Sequence, residues 1–233
     1  RCTSKTNIMV HILYRHTENT SGIGKQRPEG FSYKKCLNNI LNTIEGNKDI
    51  RFHLIYDGVC KISDSRIHHI EEFKGGSDEA SFNFAWNYSK SLELNDKDLI
   101  YFLENDYLHV EDWYTKVIDL YNSFNIPGYV TLYDHLDKYT NSMYEDLQSQ
   151  IYITPSSHWR TVPSTCGSFI VNKQILEEDF DIHTNFYGDH DKFIYLGETR
   201  GRIIISPMPG LSTHCETQFM SPIINWNNVN SNT

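Results

Sequence analysis

Three consecutive polar residues, Glu104, Asn105 and Asp106, directly follow the apolar stretch 98–103 (DLIYFL). That stretch has the composition of a buried strand, and in an extended chain the carboxylates at positions i and i+2 point the same way. Carboxylate oxygens suit a hard divalent cation, Mg²⁺ or Mn²⁺, which keeps open positions for phosphate oxygens. The triplet therefore predicts a metal site, with a solvated acidic turn as the alternative.

A second group of ionisable residues, Asp189, His190 and Asp191, stands where a helix is expected to begin. A general base needs a carboxylate that is held close to the attacking hydroxyl and is ionised. Either aspartate could serve, or could instead stabilise the helix N-terminus. Further along, His214 follows a Pro-Gly turn, and this histidine is either a ligand or a structural residue.

Composition narrows the classes of partner. The 233-residue chain carries 21 Lys and Arg against 30 Asp and Glu, a formal charge of −9. Proteins that neutralise a phosphate backbone need the opposite sign, so no nucleic acid partner is expected. No apolar stretch approaches the roughly 20 residues that span a bilayer, so no membrane span is expected. The five cysteines are scattered and odd in number, which favours reduced thiols and a cytoplasmic location.

Stretches with the period of strands alternate with stretches with the period of helices. Strands are predicted at 8–14, 51–56, 98–103, 129–133, 151–154, 169–171 and 202–206, and helices at 32–45, 62–72, 79–91, 110–123, 174–178 and 189–196. This alternation predicts an α/β fold with a mostly parallel central sheet flanked by helices. Ligands bind such sheets at the carboxyl ends of the strands, so the residues after Tyr14, Asp57 and the 104–106 triplet should share one edge.

The segments IMVHILYRH, LIYDG and LIYFLENDYLHVEDWY, in this order and spacing, resemble the GT-A-type nucleotide-sugar glycosyltransferases, family 2-like, over residues 8–226. Those enzymes carry a DxD motif at the end of a central strand, and Glu104-Asn105-Asp106 stands in its place, with Glu for the first Asp. The resemblance implies a single GT-A (Rossmann-like) domain. Its nucleotide-binding half would be about 1–106, its acceptor and catalytic half about 107–226, and 227–233 a flexible tail.

The resemblance also implies roles for single residues. Nucleotide contacts would come from the end of the first strand, from the acid after the second strand, from the helix beyond the 75–77 Gly-Gly-Ser stretch and from the central triplet. The residues concerned are Tyr14, Arg15, His16, Asp57, Asn83 and Asn105. Ordinary roles stay open, because Asp57-Gly58 is also a common turn and His16 a common loop residue.

On the catalytic side, the resemblance implies that Asp106 binds the metal, with Glu104 and His214 as further candidates. Asp191, or Asp189 beside it, would deprotonate the acceptor hydroxyl, and His190 stands where inverting members usually have Glu. The small-residue tract 163–168 would place Gly167 at the donor sugar or acceptor. Just before that tract, Trp159 and Arg160 would supply a stacking platform and a cation, or would simply belong to a packed loop.

The predicted function is metal-dependent, inverting transfer of a sugar from a nucleoside-diphosphate sugar, with a UDP-sugar favoured, to a glycan or other hydroxyl acceptor. One alternative is a metal-dependent nucleotidyltransferase, for which the 22–25 segment Gly-Ile-Gly-Lys offers a phosphate loop without P-loop spacing. The other is a non-catalytic glycan-binding module, which the aromatic content of 13% favours.

Overall fold

The structure, a computed structural model, describes residues 8–18, 24–185 and 188–231. Its strands are β1 (Val10–His16), β2 (Ile50–Asp57), β3 (His69–Phe73), β4 (Leu99–Glu104), β5 (Tyr107–His109), β6 (Gly128–Val130), β7 (Ile151–Ile153), β8 (His158–Val162), β9 (Phe169–Asn172), β10 (Ile203–Met208) and β11 (Ser212–His214). Its helices are α1 (Tyr33–Thr43), α2 (Asp78–Ser89), α3 (Trp113–Ser123), α4 (Asp137–Thr140), α5 (Lys173–Glu178), α6 (Phe180–Asn185), α7 (Asp189–Arg200) and α8 (Trp226–Ser231). Within those ranges, no helix has the length and apolar character that a bilayer crossing requires.

Nine strands form one sheet in the order β3-β2-β1-β4-β9-β6-β10-β8-β7. The four strands β3, β2, β1 and β4 run parallel to one another, and β10 runs parallel to β6. The remaining pairings in the sheet are antiparallel. Strands β5 and β11 pair in a separate two-stranded ribbon. The predicted α/β class, with a large central sheet flanked by helices, is confirmed.

Helices cover both faces of the sheet, and alternate residues of β1 enter different cores. Val10 and Ile12 pack with α1 and α3 on one face, whereas Leu13 packs with α2 and α7 on the other. Because both faces of the central strands are buried, most of their positions are apolar, and polar residues such as His11 and Arg15 in β1 are themselves buried. The predicted cap of the first helix is also confirmed, since the Ser32 hydroxyl accepts a hydrogen bond from the Lys35 amide at 3.1 Å.

The predicted helix at 62–72 is wrong. The second part of this segment belongs to β3, which pairs in parallel with β2 at the edge of the sheet. His68 continues the pairing, because its amide donates to the Phe52 carbonyl at 2.9 Å and its Nδ1 accepts from the Phe52 amide at 3.1 Å. The outer edge of β2 has backbone N–H and C=O groups that need hydrogen-bond partners. Pairing with β2 is more favourable for this segment than the helix that its local periodicity predicts.

Several segments without a predicted element are regular in the structure, and β8 and α8 are the ones that bear on an earlier expectation. β8 lies between β10 and β7 inside the sheet, in a segment that the sequence analysis treated as a loop. Helix α8 occupies most of the segment where a flexible tail was expected, and residues 232–233 lie outside the described residues. Burial of Trp226, whose Nε1 donates to the Ser221 carbonyl at 2.9 Å, holds the start of α8 against the domain.

Candidate active site

The carboxyl ends of β1, β2 and β4 meet at one edge of the sheet. In the strand pairing Arg15 lies opposite Glu104, and His16 lies opposite Tyr56. A cleft of about 870 Å³ opens at this edge, bordered by the three strand ends, by part of the segment that joins β1 to α1, and by the start of α2. The expectation that these strand ends share one edge is confirmed, as parallel pairing requires.

Charged side chains of both signs line this cleft in equal number. They are Arg15, Lys25, Arg27 and Lys74 against Asp57, Asp78, Glu104 and Asp106. The cleft is therefore formally neutral in a chain whose net charge is −9. A neutral, cation-bearing cleft is more favourable to an anionic ligand than the acidic remainder of the chain.

Asp106 is the most heavily paired carboxylate of the cleft, with a side chain only 6% exposed. Its Oδ2 accepts hydrogen bonds from His214 Nε2 at 2.9 Å and Arg27 Nη2 at 3.0 Å, and lies 3.6 Å from Lys25 Nζ. Burial opposes ionisation, but the hydrogen bond from His214 and the charges of Lys25 and Arg27 outweigh it and hold the pKa of Asp106 below its ordinary value. The carboxylate is thus ionised at neutral pH.

The β5–β11 ribbon brings His214 to Asp106. His214 pairs with Tyr107 across the ribbon, and their rings stack with centroids 5.2 Å apart. The Cys215 amide donates to the Asp106 carbonyl at 2.8 Å, which fixes the end of β11 beside the acidic triplet. The other oxygen of the carboxylate, Asp106 Oδ1, is buried and has no hydrogen-bond partner among the described residues. A buried anionic oxygen without a donor is costly unless a ligand satisfies it.

Glu104 is held by a different set of groups. Its Oε1 lies 3.3 Å from Arg15 Nη2, and its Oε2 accepts a hydrogen bond from the Ser168 hydroxyl at 3.0 Å. Arg15 also donates to Asp78 Oδ1 at 2.8 Å, so this buried guanidinium joins the end of β4 to the start of α2. Burial raises the pKa of Glu104, and the charge of Arg15 offsets this only in part.

The predicted metal ligands Glu104, Asp106 and His214 do not converge on one point. No group of three or more His, Cys, Asp or Glu side chains in the described ranges could hold a metal ion, and the Arg15 and Ser168 contacts explain why Glu104 is not available. Asp106 and His214 do converge, and the unpartnered Asp106 Oδ1 adds a ligand oxygen. Mg²⁺ commonly takes one or two protein ligands when phosphate oxygens and water complete its shell, so this pair fits such an ion.

Asp57 shapes the loop that leads into α2. Its two carboxylate oxygens accept hydrogen bonds from the Gly75 amide at 3.0 Å and the Gly76 amide at 2.6 Å. Gly76 has φ +74°, a left-handed conformation that favours glycine. Ser77 then caps α2 by accepting from the Ala80 amide at 3.1 Å. Asp57 therefore borders the cleft, but both of its carboxylate oxygens accept hydrogen bonds from the turn at Gly75 and Gly76.

The other predicted nucleotide residues divide into two groups. His16 and Asn105 line the cleft together with Arg15 and Asp57. Burial lowers the pKa of His16 to about 4, so its ring is neutral at pH 7. Tyr14 is fully buried below the cleft, and its hydroxyl donates to the Asn105 carbonyl at 3.2 Å. Asn83 lies within α2 and does not border the cleft, so the prediction of direct contact by these last two residues is not supported.

A smaller cavity of about 160 Å³ lies beside the cleft, and the 166–167 dipeptide separates the two. Cys166 lines the smaller cavity. On the cleft side, a Cβ added at Gly167 would lie 3.0 Å from Arg15 Nη2 and 3.5 Å from Glu104 Cδ. Gly167 thus lies against Arg15 and Glu104, and its lack of a side chain permits this close approach. Its contact with the donor sugar or acceptor stays a prediction.

The structure distinguishes the two candidate bases. Asp189 begins α7, lines the smaller cavity beside His190, and accepts from Lys192 Nζ at 2.9 Å. Asp191 is exposed on the same helix and borders neither cavity. Residues 186 and 187, which precede α7, lie outside the described residues.

The prediction that Trp159 forms a stacking platform is wrong. Its side chain is fully buried within the sheet at β8, where Nε1 lies 3.4 Å from Thr154 Oγ1. Arg160 is paired with the buried Asp134 at 2.8 Å and lies over the Tyr139 ring, so it is not available as a free cation. All four tryptophans of the chain are buried, at Trp86, Trp113, Trp159 and Trp226. The packed-loop alternative was closer to the structure.

Sequence reasoning missed two cations at the centre of the cleft, Lys25 and Arg27. The sequence places Lys25 in a phosphate-loop-like segment without P-loop spacing, and no motif includes Arg27. The available signal was their position, since both precede the helix capped by Ser32 in the segment that follows a buried strand. Only the fold shows that both contact Asp106.

No family model matches the chain, and no curated protein matches it. Among solved structures, residues 1–349 of TarS from S. aureus match with a TM-score of 0.50 and 9% identity, covering 85% of this chain and 58% of that one. The inositol-1-phosphate CTP transferase from T. maritima matches with a TM-score of 0.48 and 11% identity, covering 97% and 96%. An active-site mutant of LgtC matches with a TM-score of 0.44 and 10% identity, covering 82% and 70%. The match to TarS shows that the two chains share an α/β fold.

Proposed function

We propose that this chain is a divalent-cation-dependent transferase that moves a sugar from a nucleoside-diphosphate sugar to a hydroxyl acceptor. The observation that carries the proposal is the Asp106–His214 pair at the carboxyl edge of the parallel strands, with the buried Asp106 Oδ1 left without a donor. The GT-A-like fold supports the wider class, a transferase that uses a nucleotide or a nucleotide sugar.

Asp106 and His214 are the residues that would hold Mn²⁺ or Mg²⁺ beside the diphosphate. When bound, the ion offsets negative charge on the departing diphosphate. Arg15 holds Glu104 and Asp78 in place at the border of the larger cleft, and the Asp57-bound loop at Gly75 and Gly76 also lines that cleft. The nucleotide would occupy the larger cleft, and the acceptor would enter from the smaller cavity.

Asp189 is the proposed general base. Its carboxylate would take the proton of the acceptor hydroxyl while that oxygen forms a bond to the anomeric carbon of the donor. The bond from the anomeric carbon to the phosphate oxygen breaks, and the nucleoside diphosphate leaves with the bonding electrons. One displacement of this kind inverts the anomeric configuration, as the family resemblance implies. The ion pair with Lys192 Nζ at 2.9 Å positions the Asp189 carboxylate at the start of α7.

A nucleotidyltransferase is the second candidate function. Lys25 and Arg27 support it, because two cations beside Asp106 also suit the longer phosphate chain of a nucleoside triphosphate. In that reaction a sugar phosphate attacks the α-phosphate and pyrophosphate leaves. A glycan-binding module, which the aromatic content favours, would have no tryptophan for stacking on sugars, since all four tryptophans are buried.

Product analysis tests the proposal. The chain is incubated with Mn²⁺ and a panel of UDP-, GDP-, CDP- and ADP-sugars, and in parallel with nucleoside triphosphates and sugar 1-phosphates. We expect release of a nucleoside diphosphate from one donor, by transfer or by slow hydrolysis. Release of pyrophosphate instead would favour nucleotidyl transfer. Sugar binding together with no binding of any nucleotide, with or without Mn²⁺, would contradict both enzymatic functions.

A further inference from the structure

Two cationic side chains share one carboxylate oxygen at the centre of the cleft. Arg27 Nη2 lies 3.0 Å and Lys25 Nζ 3.6 Å from Asp106 Oδ2. That oxygen also accepts from His214. Two full positive charges against one negative charge leave this corner with an excess of positive charge, although the chain as a whole carries −9. An excess of positive charge in a cleft favours the binding of an anion there.

The two cations differ in how firmly they are held. Arg27 is 18% exposed, donates to the Cys215 carbonyl at 2.8 Å and to the Tyr33 hydroxyl at 3.2 Å, and lies over the Phe31 ring at 4.5 Å. Lys25 is 43% exposed, and its longer contact with Asp106 leaves its ammonium group facing the cleft. Arg27 is therefore the more firmly held of the two cations, and Lys25 turns toward a ligand at lower cost.

We infer that Lys25 and Arg27 bind the diphosphate group of the nucleotide directly, exchanging Asp106 for phosphate oxygens, and that the divalent cation binds Asp106 strongly only after this exchange. The inference rests on the proposed function, because it gives the order in which the nucleotide and the divalent cation of that function bind in the cleft. Its consequence is that the diphosphate binds without any divalent cation.

Electrostatics gives the physical reason for this order. With Lys25 and Arg27 in contact with Asp106, an incoming divalent cation would meet two positive charges within 4 Å of its ligand. A diphosphate carries two or three negative charges and draws both side chains toward itself, which frees Asp106 Oδ2 for the ion. Charge-assisted hydrogen bonds to phosphate oxygens compensate for the lost contacts with the carboxylate.

The first experiment is calorimetric titration in EDTA with UDP, GDP, CDP and ADP, carrying the tightest binder forward. We expect the wild type to bind the nucleoside diphosphate measurably. The affinity of Lys25→Ala for the same nucleotide should be lower by about tenfold or more. The matching nucleoside should bind both proteins equally, because it lacks the diphosphate. Lys48→Ala, which removes the same charge from an exposed position outside the cleft, should bind like the wild type. Arg27→Lys keeps the positive charge but loses the paired N–H donors of the guanidinium. It should therefore weaken nucleotide binding less than Lys25→Glu, which reverses a charge.

The second experiment measures Mn²⁺ binding by the paramagnetic signal of the free ion, without nucleotide. Lys25→Ala should bind Mn²⁺ several-fold more tightly than the wild type, because one competing charge is gone. Opposite changes in the two affinities, weaker for the nucleoside diphosphate and tighter for Mn²⁺, are the signature of the exchange. A purely structural role for Lys25 would lower both.

The failures can be told apart. If the wild type binds none of the nucleoside diphosphates with or without Mn²⁺, the proposed function itself is overturned. If it binds one of them only with Mn²⁺, or if Lys25→Ala and Arg27→Lys bind it like the wild type, the inference alone is overturned. Circular dichroism of each variant checks that the fold is retained.

Discussion

His214 Nε2 and Asp106 Oδ2 lie 2.9 Å apart although 108 positions of sequence separate the two residues. This contact joins the end of β4 to the two-stranded ribbon of β5 and β11. In an octahedral site, two neighbouring ligand atoms each lie about 2.1 Å from the ion and therefore about 3 Å from each other. The distance between His214 Nε2 and Asp106 Oδ2 matches this spacing. The hydrogen bond thus keeps together the two groups that the proposed ion requires.

Replacing Asp106 by Asn tests this pair directly. The change keeps the volume but removes the negative charge, so we expect Mn²⁺ binding to be lost and Mn²⁺-dependent donor turnover to fall by about 100-fold or more. Asp112→Asn, at an exposed carboxylate before α3, is the matched control and should behave like the wild type. Unchanged Mn²⁺ binding and turnover in the Asp106 variant would remove the metal-site assignment.

Gly167→Ala tests the close approach between the 166–167 dipeptide and Arg15. A methyl group there would lie 3.0 Å from Arg15 Nη2 and 3.5 Å from Glu104, so it should displace the ion pair and lower kcat/KM for the donor by about tenfold. Gly197→Ala in α7, where the new Cβ lies 3.5 Å from the Arg202 carbonyl, is the control. It should keep full activity and gain up to about 1 kcal/mol of helix stability. Equal activity in both variants would show that the close approach of Gly167 to Arg15 does not matter for turnover.

The choice of base is tested by a pair of variants on one helix turn. Asp189→Asn should lower kcat by about 100-fold or more with a small change in donor KM, because a general base is lost while binding persists. Asp191→Asn should stay within about twofold of the wild type, since that side chain is exposed and borders neither cavity. The reverse pattern would assign the base to Asp191.

Buried histidines predict a loss of stability in mild acid. Burial lowers the pKa of His53 to about 3 and that of His109 to about 3, against about 6.5 in the unfolded chain. Between these values the unfolded state binds more protons, so the stabilising contribution is complete above pH 6.5 and is lost as the pH falls. Each histidine contributes at most about 1.4 kcal/mol per pH unit in this window.

Urea unfolding at pH 7.5, 6.5, 5.5 and 5.0 measures this effect. The free energy of unfolding should fall over the last three points, and His53→Gln should make the fall shallower. His158→Gln, at an exposed position of β8, should leave the slope unchanged. A flat profile between pH 6.5 and 5.0 would contradict the neutral, buried state of these rings.

Local sequence was sufficient for features that depend on neighbours along the chain. The apolar stretches of β1, β2 and β4, the Ser32 cap of α1 and the polar residues at the strand ends follow from periodicity and side-chain chemistry. Position at the carboxyl edge then follows from parallel pairing. For the same reason, Asp106 could be singled out before any contact was known.

Long-range contacts decided the rest. The partners of Glu104 are Arg15 and Ser168, the cations beside Asp106 are Lys25 and Arg27, and none of these pairs is close in sequence. Pairing with β2 turned part of 62–72 into a strand, and the sheet buried Trp159. The sequence by itself determined which chemical groups stand at the strand ends. Only the tertiary structure decided which of them meet, because charge pairing and burial are properties of neighbours in space.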